Sequence, residues 1–343
     1  MILVLNCGSQ SIKWKLFERK SKSVLELKKQ GQTDVFNIKN FKDILIKELE
    51  KIVGYKKNIK IIGHRVVYGG PKFRDPTLIT KKNLKELKKF DKFAPLHNPF
   101  NILGIETSQK IFPNSKQIAV FDTGFYKNLS EKASIYPLPK KIRDKFGFKR
   151  FGFHGISHKF VAEQASQQIK KPFPKLKIIT CHLGGGSSIT AIKNGKVIDT
   201  SMGFTPMEGI MMMTRAGDID AGIVLELVNK FSVKKVNEIL NYESGIKGLC
   251  GEDKMLKILE KIKKGDRNAS LALDIFVYKI KKYIGSYYAI LNGCDLLVFT
   301  GTIGYGSSKI RNMICKDLGI LKNTKVLTIK TNEELEIAME INK

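Results

Sequence analysis

Apolar and polar positions follow the same plan in two separate blocks of the chain. The first block reads ILVLN, a polar turn CGSQS, then IKWKLFE and SVLELKKQG. The second reads KIITCHLG, a turn of glycine and serine, SITAIKNGK with an Asn-Gly hairpin signal, and VIDTSMG. Short apolar runs broken by such turns predict strands joined by tight connections. The repeated plan therefore predicts a structural duplication.

Each block is followed by strand-like and helix-like segments in alternation. The strand-like runs include IKIIGHRVV, KQIAVFD, DLLVFTG and TKVLTIKT. Alternation of this kind predicts α/β domains with mostly buried strands. In the final segment, TNEELEIAMEI, either Thr331 or Asn332 is expected to cap a short amphipathic helix. We therefore expect an α/β protein of two similar lobes with a cleft between them.

Length and composition are those of a folded globular protein. The 343 residues, 42% of them hydrophobic, are enough for two domains with proper cores. No apolar stretch approaches the roughly 18 to 20 residues of a membrane span, and MILVLN lacks the features of a signal peptide. The five cysteines are scattered and form no CxxC pair, so neither disulfides nor a zinc site is expected. We expect a cytoplasmic protein with reduced thiols.

The formal net charge of +29 is large for this length. Such a charge raises nucleic acid or an anionic membrane as partners. The excess is nearly all lysine, however, spread along helix-like segments such as KKNLKELKKF and KMLKILEKIKK, without an arginine-rich or aromatic-interleaved stripe. We expect solvated helix faces and no specific nucleic-acid or membrane partner, although polyanion binding stays open. The basic field would attract phosphorylated small molecules.

A few residue types stand out as candidates for chemistry. Arginine is scarce among the basic residues, and its planar fork at Arg65 and Arg215 suits carboxylate or phosphate, although each also fits a structural ion pair. Asp122 follows the run QIAVF at a strand end, where acids of α/β proteins often serve function. His154 and His158 are spaced as a metal pair on a helix, but Gly155 and the lack of a neighbouring glutamate argue against zinc.

The three glycines Gly184–Gly186 lie between two predicted strands. They match neither the phosphate-binding P-loop nor the dinucleotide-binding GxGxxG motif, because a strand rather than a helix follows. A glycine turn between strands can still present backbone N–H groups to an anion. From these residues alone, a phosphate cradle and a plain hairpin both remain possible.

Taken in order, a series of motifs resembles the acetate kinase family. The motifs are NCGSQSIK, GHRVVYGG, APLHNPFNILGI, VFDTGFY, FGFHGISH, CHLGGGSS, DTSMGFTPMEG, TRAGDID and TNEEL. The resemblance extends from residue 3 to about residue 340, in a chain shorter than typical members. The resemblance implies two duplicated ribonuclease H-like domains of the actin-like ATPase fold around a hinged cleft, and a homodimer. We expect an acceptor-side domain of residues 1–122 plus 332–343, and a nucleotide-side domain of residues 123–331.

The resemblance also implies roles for individual residues. The catalytic residues would be Asp122, His154 and Arg215, with Asn6 and Glu333 near Mg²⁺ or Mn²⁺. The acceptor carboxylate would bind Arg65, and its methyl group would enter a pocket of Val67, Leu96, Phe153 and Pro206. Contacts to the nucleotide and its phosphates would come from Lys13, His182, Leu183, Gly184, Gly185, Gly186, Thr302, Ile303, Gly304, Tyr305 and Gly306. Because a carboxylate nucleophile needs no strong base, we expect Asp122 to orient metal and acceptor.

The chain departs from the family pattern mostly on the nucleotide side. Gly185 stands where members usually have asparagine, and Tyr305 and Gly306 stand where they usually have glutamate and asparagine. The adenosine segment appears as GEDKMLK without arginine, while Tyr68 and Tyr126 replace histidines. The function expected is Mg²⁺-dependent phosphoryl transfer from ATP to acetate. Alternatives are a short-chain carboxylate kinase that uses pyrophosphate or prefers propionate, and a degenerate nucleotide- or polyanion-binding protein.

Overall fold

A computed structural model describes residues 1–8, 11–21, 24–35, 38–95 and 97–343 of the protein. The chain divides into two compact units. The first unit comprises Met1–Lys127, Phe153–Ser157 and Asn332–Lys343, and the second comprises Asn128–Gly152 and His158–Thr331.

The first unit is built on a mixed sheet. Its strands are β1 (Ile2–Cys7), β2 (Ser11–Arg19), β3 (Leu25–Asp34), β4 (Ile61–Val66), β5 (Thr77–Leu78) and β6 (Lys116–Phe121). Its helices are α1 (Phe41–Glu50), α2 (Lys81–Lys88), α3 (Asn98–Ile111) and the last helix of the chain, α14 (Glu333–Ile341). The spatial order is β3-β2-β1-β4-β6-β5, with β1, β2 and β3 antiparallel and β4 and β6 parallel to β1.

Strand β1 is apolar on both faces because helices cover both sides of the sheet. Leu3 and Leu5 belong to one cluster with Phe41 of α1, whereas Val4 belongs to another with Ile337 of α14. Successive side chains of a strand point to opposite faces, so a strand between two helical layers must be apolar throughout. The continuous run ILVL therefore marks the centre of the sheet.

The second unit contains the remaining elements. Its strands are β7 (Lys177–Leu183), β8 (Ser187–Lys193), β9 (Lys196–Thr200), β10 (Leu296–Thr300) and β11 (Lys325–Thr328). Its helices are α4 (Glu131–Ser134), α5 (Lys140–Phe146), α7 (Ala221–Lys230), α8 (Val233–Glu238), α9 (Gly245–Cys250), α10 (Met255–Lys263), α11 (Arg267–Leu291), α12 (Gly301–Gly306) and α13 (Ser308–Cys315). Helix α6 (Gly155–Gln168) begins in the first unit and continues into the second.

The predicted duplication is confirmed by the strand order. The second sheet runs β11-β10-β7-β8-β9, with β7, β8 and β9 antiparallel and β10 and β11 parallel to β7. This is the arrangement of β6, β4, β1, β2 and β3 in the first unit. The predicted Asn-Gly turn joins β8 to β9, with Asn194 at φ 54° and Gly195 at φ 74°. Such positive φ values at both central residues are those of a type I′ hairpin turn.

The long helix α11 covers the sheet of the second unit. Phe276, Ile280 and Ile284 pack with Ile189 of β8 in one apolar cluster. The five cysteines are all free thiols; Cys7, Cys181 and Cys294 are buried, and Cys250 and Cys315 are partly buried. In the described parts of the chain, no helix is both long enough and apolar enough to cross a membrane.

Candidate active site

Functional candidates of the first unit meet at one edge of its sheet. Asn6 lies near the end of β1, Arg65 near the end of β4, and Asp122 directly after β6. The carboxyl ends of parallel strands face the same side, which is where α/β proteins place their sites. Glu333 and Glu334 reach the same group of residues from the first turn of α14.

Arg65 and Asp122 form a bidentate ion pair. The guanidinium Nε lies 3.0 Å from Asp122 Oδ1, and its NH2 lies 2.7 Å from Oδ2. Burial by itself lowers the pKa of Arg65, but the adjacent Asp122 and Glu333 carboxylates raise it above its ordinary value. Asp122 is only 1% exposed, and burial raises its pKa, while Arg65 opposes that shift. The two charge-assisted bonds from Arg65 stabilise the ionised form of this carboxylate.

The opposite edge of the Arg65 fork faces Asn6 and Glu333. Its NH1 lies 3.1 Å from Glu333 Oε2 and 3.3 Å from Asn6 Oδ1. Asn6 Nδ2 in turn donates to Glu333 at 3.1 Å and to Glu334 at 2.9 Å. We call Asn6, Arg65, Asp122, Glu333 and Glu334 the acid–arginine cluster. Its carboxylates are held by hydrogen bonds rather than left to repel one another.

A lysine from β2 completes the charge balance of this cluster. Lys15 Nζ lies 3.4 Å from Glu334 Oε2 and donates at 2.6 Å to Asn332 Oδ1. Asn332 also caps α14, because its side chain accepts from the N–H of Leu335 at 3.2 Å. Three carboxylates therefore face two cations, and the group keeps one formal negative charge.

The donor set suits an oxygen-liking cation. Carboxylate and amide oxygens are ligands that Mg²⁺ accepts, and Mg²⁺ usually binds through one or two carboxylates together with substrate phosphates. Among the described residues, no group of three or more His, Cys, Asp or Glu side chains is arranged to enclose a metal ion. The acid–arginine cluster thus fits an ion shared with a substrate and does not resemble a closed protein site.

Val67 and Phe153 supply buried apolar surface in the first unit. The N–H of Val67 donates to Asn101 Oδ1 at 3.0 Å, and Asn98 bonds both backbone groups of Tyr68, at 3.0 and 2.9 Å. The ring of Tyr68 stacks on Phe153, with centroids 5.9 Å apart. Two asparagines in the first turn of α3 therefore fix the backbone of this apolar surface.

The other two residues of the expected methyl pocket lie elsewhere. Leu96 falls outside the described residues. Pro206 lies in a loop of the second unit, where its carbonyl accepts from Arg215.

His154 precedes α6 and adopts a left-handed backbone with φ 56°. Its N–H donates to Asp122 and opposes the burial-raised pKa of that carboxyl. A Cβ atom on Gly155 would lie 2.1 Å from the carbonyl oxygen of Asp122, so only glycine allows the chain to approach this closely. His154 therefore lies against Asp122 and is not part of the helix that carries His158.

His158 is a structural residue in the second unit. It is fully buried in α6, and its ring nitrogens bond Thr180 Oγ1 and Ser188 Oγ, each at 2.7 Å. Burial lowers its pKa well below the ordinary value, with a smaller effect from His182. A neutral imidazole held by two hydroxyl groups has both ring nitrogens engaged in hydrogen bonds.

The glycine turn of the second unit connects β7 to β8. Leu183 pairs with Ser187 across the hairpin, and the N–H of Gly184 bonds Ser187 Oγ at 3.1 Å. Gly185 is exposed at the tip, and no heavy atom would lie within 4 Å of a Cβ atom placed there. The turn is therefore open on the side where an anion could approach its backbone.

Residues Thr302–Gly306 lie beside the glycine turn. Thr300, the last residue of β10, pairs with His182 of β7, and α12 follows directly. A Cβ atom on Gly184 would lie 3.3 Å from Thr302 Oγ1. Arg311 donates to the carbonyls of Gly304 and Tyr305, at 2.9 and 2.8 Å, and fixes the end of α12. The second unit thus gathers the glycine turn and α12, with His182 and Leu183 at the end of β7.

Arg215 belongs to the second unit and contrasts with Arg65. Its NH1 donates to the carbonyl of Pro206 at 3.2 Å, and within the described residues no carboxylate lies at ion-pairing distance from it. Burial lowers the pKa of Arg215 to about 10. Two residues earlier, the N–H of Met213 donates to the carbonyl of Gly185 at 3.3 Å. Arg215 is therefore a desolvated cation in a loop that is hydrogen-bonded to the glycine turn. Such a cation is suited to bind an anion.

Most of the predicted residues fall into two groups, one in each unit. The first unit brings together Asn6, Arg65, Val67, Asp122, Phe153, His154 and Glu333, with Lys13 paired to Asn6 across the β1–β2 ladder. The second brings together His182, Leu183, Gly184–Gly186, Pro206, Arg215 and Thr302–Gly306. Sequence reasoning missed Lys15, Glu334, Asn98 and Asn101. In the sequence, the two asparagines could have been noticed only as polar residues three positions apart, in the first turn of a helix that begins after PLH.

Comparison with known proteins identifies close relatives. A profile described as the acetokinase family matches residues 1–338. A protein named acetate kinase from Carboxydothermus hydrogenoformans is 40% identical, over 99% of this chain and 98% of the relative. Another from Dictyoglomus turgidum is 41% identical, over 99% and 96%. The first alignment spans 388 positions against 343 residues here, so at least 45 positions are gaps in this chain.

Solved structures give the same result. The crystal structure of a propionate kinase from Francisella tularensis is 36% identical with a TM-score of 0.88, covering 99% of this chain and 98% of that one. The structure of Porphyromonas gingivalis acetate kinase is 32% identical with a TM-score of 0.86, covering 98% and 97%. Both similarities extend over both units.

Proposed function

The chain belongs to the acetokinase family, and from that premise we propose that it is an acetate kinase. It would transfer the γ-phosphoryl group of ATP reversibly to acetate and form acetyl phosphate and ADP. The reaction class is that of the family, a phosphotransferase with a carboxyl group as acceptor. A preference for propionate is the second candidate, favoured by the similarity to a propionate kinase.

The observation that carries this proposal is the contrast between the partly buried Arg65 and the buried Arg215. Arg65 is paired by Asp122 and Glu333, whereas no carboxylate of the described chain pairs with Arg215. Joining a phosphoryl group to a carboxylate brings two anions together, and charge spreads over the equatorial oxygens of a loose transition state. A buried cation without an acid partner stabilises such charge more strongly than an exposed one.

The residues of the first unit would bind and orient the acceptor. Arg65 would take the acetate carboxylate through NH1, in place of its contact with Glu333, because its Nε and NH2 are bonded to Asp122. Val67 and Phe153 would contact the methyl group, and His154 would donate a hydrogen bond to the transferring phosphoryl group. Asn6 and Glu333 would hold Mg²⁺ or Mn²⁺, which when bound would offset the negative charge of the donor phosphates.

Asp122 would orient these groups without acting as a base. Its carboxylate already accepts from Arg65 and from the backbone of His154, so its place is fixed. We expect Asp122→Asn to lower turnover strongly, because an amide has one oxygen and cannot accept from both Nε and NH2 of Arg65. Near-normal turnover of that variant would contradict the role.

The two units would divide the substrates between them. The first unit, Met1–Lys127 with Phe153–Ser157 and Asn332–Lys343, would form the acceptor side, and the second unit, Asn128–Gly152 with His158–Thr331, the nucleotide side. On the nucleotide side the glycine turn and Thr302–Gly306 would hold the phosphates through backbone N–H groups. Gly185, Tyr305 and Gly306 offer fewer amide and carboxylate side chains than the family pattern, so pyrophosphate is the donor to test beside ATP.

The decisive experiment traps the product with hydroxylamine, which converts an acyl phosphate into a coloured hydroxamate. The purified chain is incubated with Mg²⁺, with ATP or pyrophosphate, and with acetate, propionate or butyrate. Hydroxamate from ATP and acetate, lost in Arg215→Ala, supports the proposal. Product only with pyrophosphate or only with propionate would reassign donor or acceptor, and none with any pair would favour a nucleotide- or polyanion-binding protein.

A homodimer is proposed from an apolar helix surface. Helix α7 has no buried residue, and the segment around it exposes Leu225 by 67% and Val233 by 70%, together with Ile223 and Phe231. Apolar patches of this kind usually mark an interface. Light scattering should give a molar mass twice that of one chain. The variant Leu225→Glu should have the molar mass of a single chain. A wild-type protein that remains a single chain at micromolar concentration would contradict the dimer.

We place the protein in the cytoplasm. All five cysteines are free thiols, which suits a reducing compartment. Localisation of the tagged chain by cell fractionation tests this placement.

A further inference from the structure

One short turn holds both polar ends of the peptide group that precedes His154. The turn is a 3₁₀ helix, Asp122–Tyr126. Tyr126 donates its hydroxyl to the carbonyl of Phe153 at 2.7 Å, and the N–H of His154 donates to Asp122. That carbonyl and that N–H belong to one planar peptide group. The first and last residues of the turn therefore fix the orientation of a single plane.

This plane determines the direction in which His154 leaves the backbone. His154 has φ 56°, a left-handed conformation that residues with a side chain seldom adopt. Such a conformation persists only where the surroundings hold it. The close approach of Gly155 to the Asp122 carbonyl supplies one restraint, and the two hydrogen bonds to the turn supply the others.

Tyr126 is placed as a rigid donor. It is 1% exposed, and its ring packs edge-on against Phe125 with centroids 5.8 Å apart. A buried phenol requires a hydrogen-bond acceptor, and the carbonyl of Phe153 is one. The short 2.7 Å bond from a side chain held by packing leaves the peptide group little freedom to rotate.

We propose that Tyr126 is a positioning residue, which holds His154 in its reactive orientation through the carbonyl of Phe153. The inference rests on the proposed function, in which His154 contacts the transferring phosphoryl group. In this role Tyr126 touches no substrate and acts through the peptide group.

The first test removes only the hydroxyl group. Tyr126→Phe should lower kcat about tenfold, the effect of one lost hydrogen bond, and change the KM for acetate by less than about twofold. Tyr126→His retains a donor and should recover part of kcat. The control Tyr287→Phe removes a buried phenol of α11 and should leave kcat unchanged. An unchanged kcat in Tyr126→Phe would overturn the inference.

A double-mutant comparison separates positioning from general stability. In a His154→Asn background, Tyr126→Phe should cause no further loss of kcat, because the group that it positions is gone. A further tenfold loss in that background would mean that Tyr126 acts by another route, and would overturn the inference. If Tyr126→Phe does not fold, Tyr126→His takes its place in both backgrounds.

A third readout does not depend on activity. The chain has five histidines, so ¹⁵N-histidine spectra resolve few imidazole signals, and His154→Asn assigns the one from His154. In Tyr126→Phe this signal should shift or broaden, while those of His64 and His158 stay in place. An unmoved His154 signal would overturn the inference. If the wild type is inactive but Tyr126→Phe still displaces the His154 signal, the proposed acetate kinase activity is contradicted and the positioning role stays supported.

Discussion

Arg65 depends on its planar shape as much as on its charge. Two of its nitrogens bond Asp122, and a third faces Glu333 and Asn6. A lysine keeps the charge but presents a single point donor. We expect Arg65→Lys to lower kcat/KM for acetate by about 100-fold or more, as a charge-assisted bidentate pair is lost.

The hydroxamate assay at several acetate concentrations measures this loss. The control Arg19→Lys changes an exposed residue of β2 and should be neutral. A loss smaller than threefold in Arg65→Lys would show that charge alone suffices.

Lys15 stabilises the site from outside the predicted machinery. It joins Glu334 and the cap residue Asn332 from a partly buried position. Removing the lysine from such a pair leaves the buried carboxylate without its neighbouring positive charge. Lys15→Gln should therefore lower the free energy of unfolding by about 1 to 3 kcal/mol, measured by urea denaturation.

Lys28 provides a matched comparison on β3. Its ion pairs with Glu18 and Glu26 are screened by solvent, so Lys28→Gln should lower the free energy of unfolding clearly less than Lys15→Gln does. Equal losses in the two variants would contradict a special role for Lys15.

Among elements, the β7–β8 hairpin carries Gly185, the position where the family resemblance leads us to expect asparagine. A side chain fits at Gly185 because the tip is open and its backbone is not left-handed. Gly185→Asn would return an amide donor to the phosphates. We expect the KM for the phosphoryl donor to fall about three- to tenfold, the value of one hydrogen bond, with the KM for acetate unchanged.

The control for this prediction is Gly319→Asn. Gly319 also has open space around it and lies outside the proposed site. A KM for the donor that does not fall in Gly185→Asn, or that falls equally in the control, would contradict a phosphate-binding turn.

For the whole molecule, His64 makes stability depend on pH. It is a buried residue of β4, its Nε2 lies 2.7 Å from Oε1 of Gln117 in β6, and burial lowers its pKa to about 4, against an opposing effect of Gln117. The unfolded chain protonates this histidine near pH 6.5, so between pH 6.5 and 4 the unfolded state binds more protons. Stability should therefore fall as pH falls, by about 3 kcal/mol from this side chain.

Urea unfolding at pH 7, 6 and 5 checks the pH effect against His64→Gln. The variant cannot take up that proton, so its free energy of unfolding should decline less steeply with falling pH. Parallel declines for the two proteins would assign the pH dependence to other groups.

Much of the architecture could be predicted from the sequence because it depends on local pattern. Apolar runs, the Asn194–Gly195 turn and the cap at Asn332 are each determined by neighbouring residues, and the two repeated blocks became two sheets of one strand order. The family likewise followed from motifs kept in order along the chain. These features require no knowledge of distant contacts.

Only the tertiary structure decided how distant residues combine. Lys15 and Glu334 are 319 positions apart, and Tyr126 reaches the carbonyl of a residue 27 positions away. Nothing local distinguishes Lys15 from the many other lysines of this chain, or Tyr126 from a core tyrosine. Their roles arise because folding places a cation beside a buried carboxylate and a hydroxyl beside a strained peptide group. At both places low solvent exposure strengthens the electrostatic interaction.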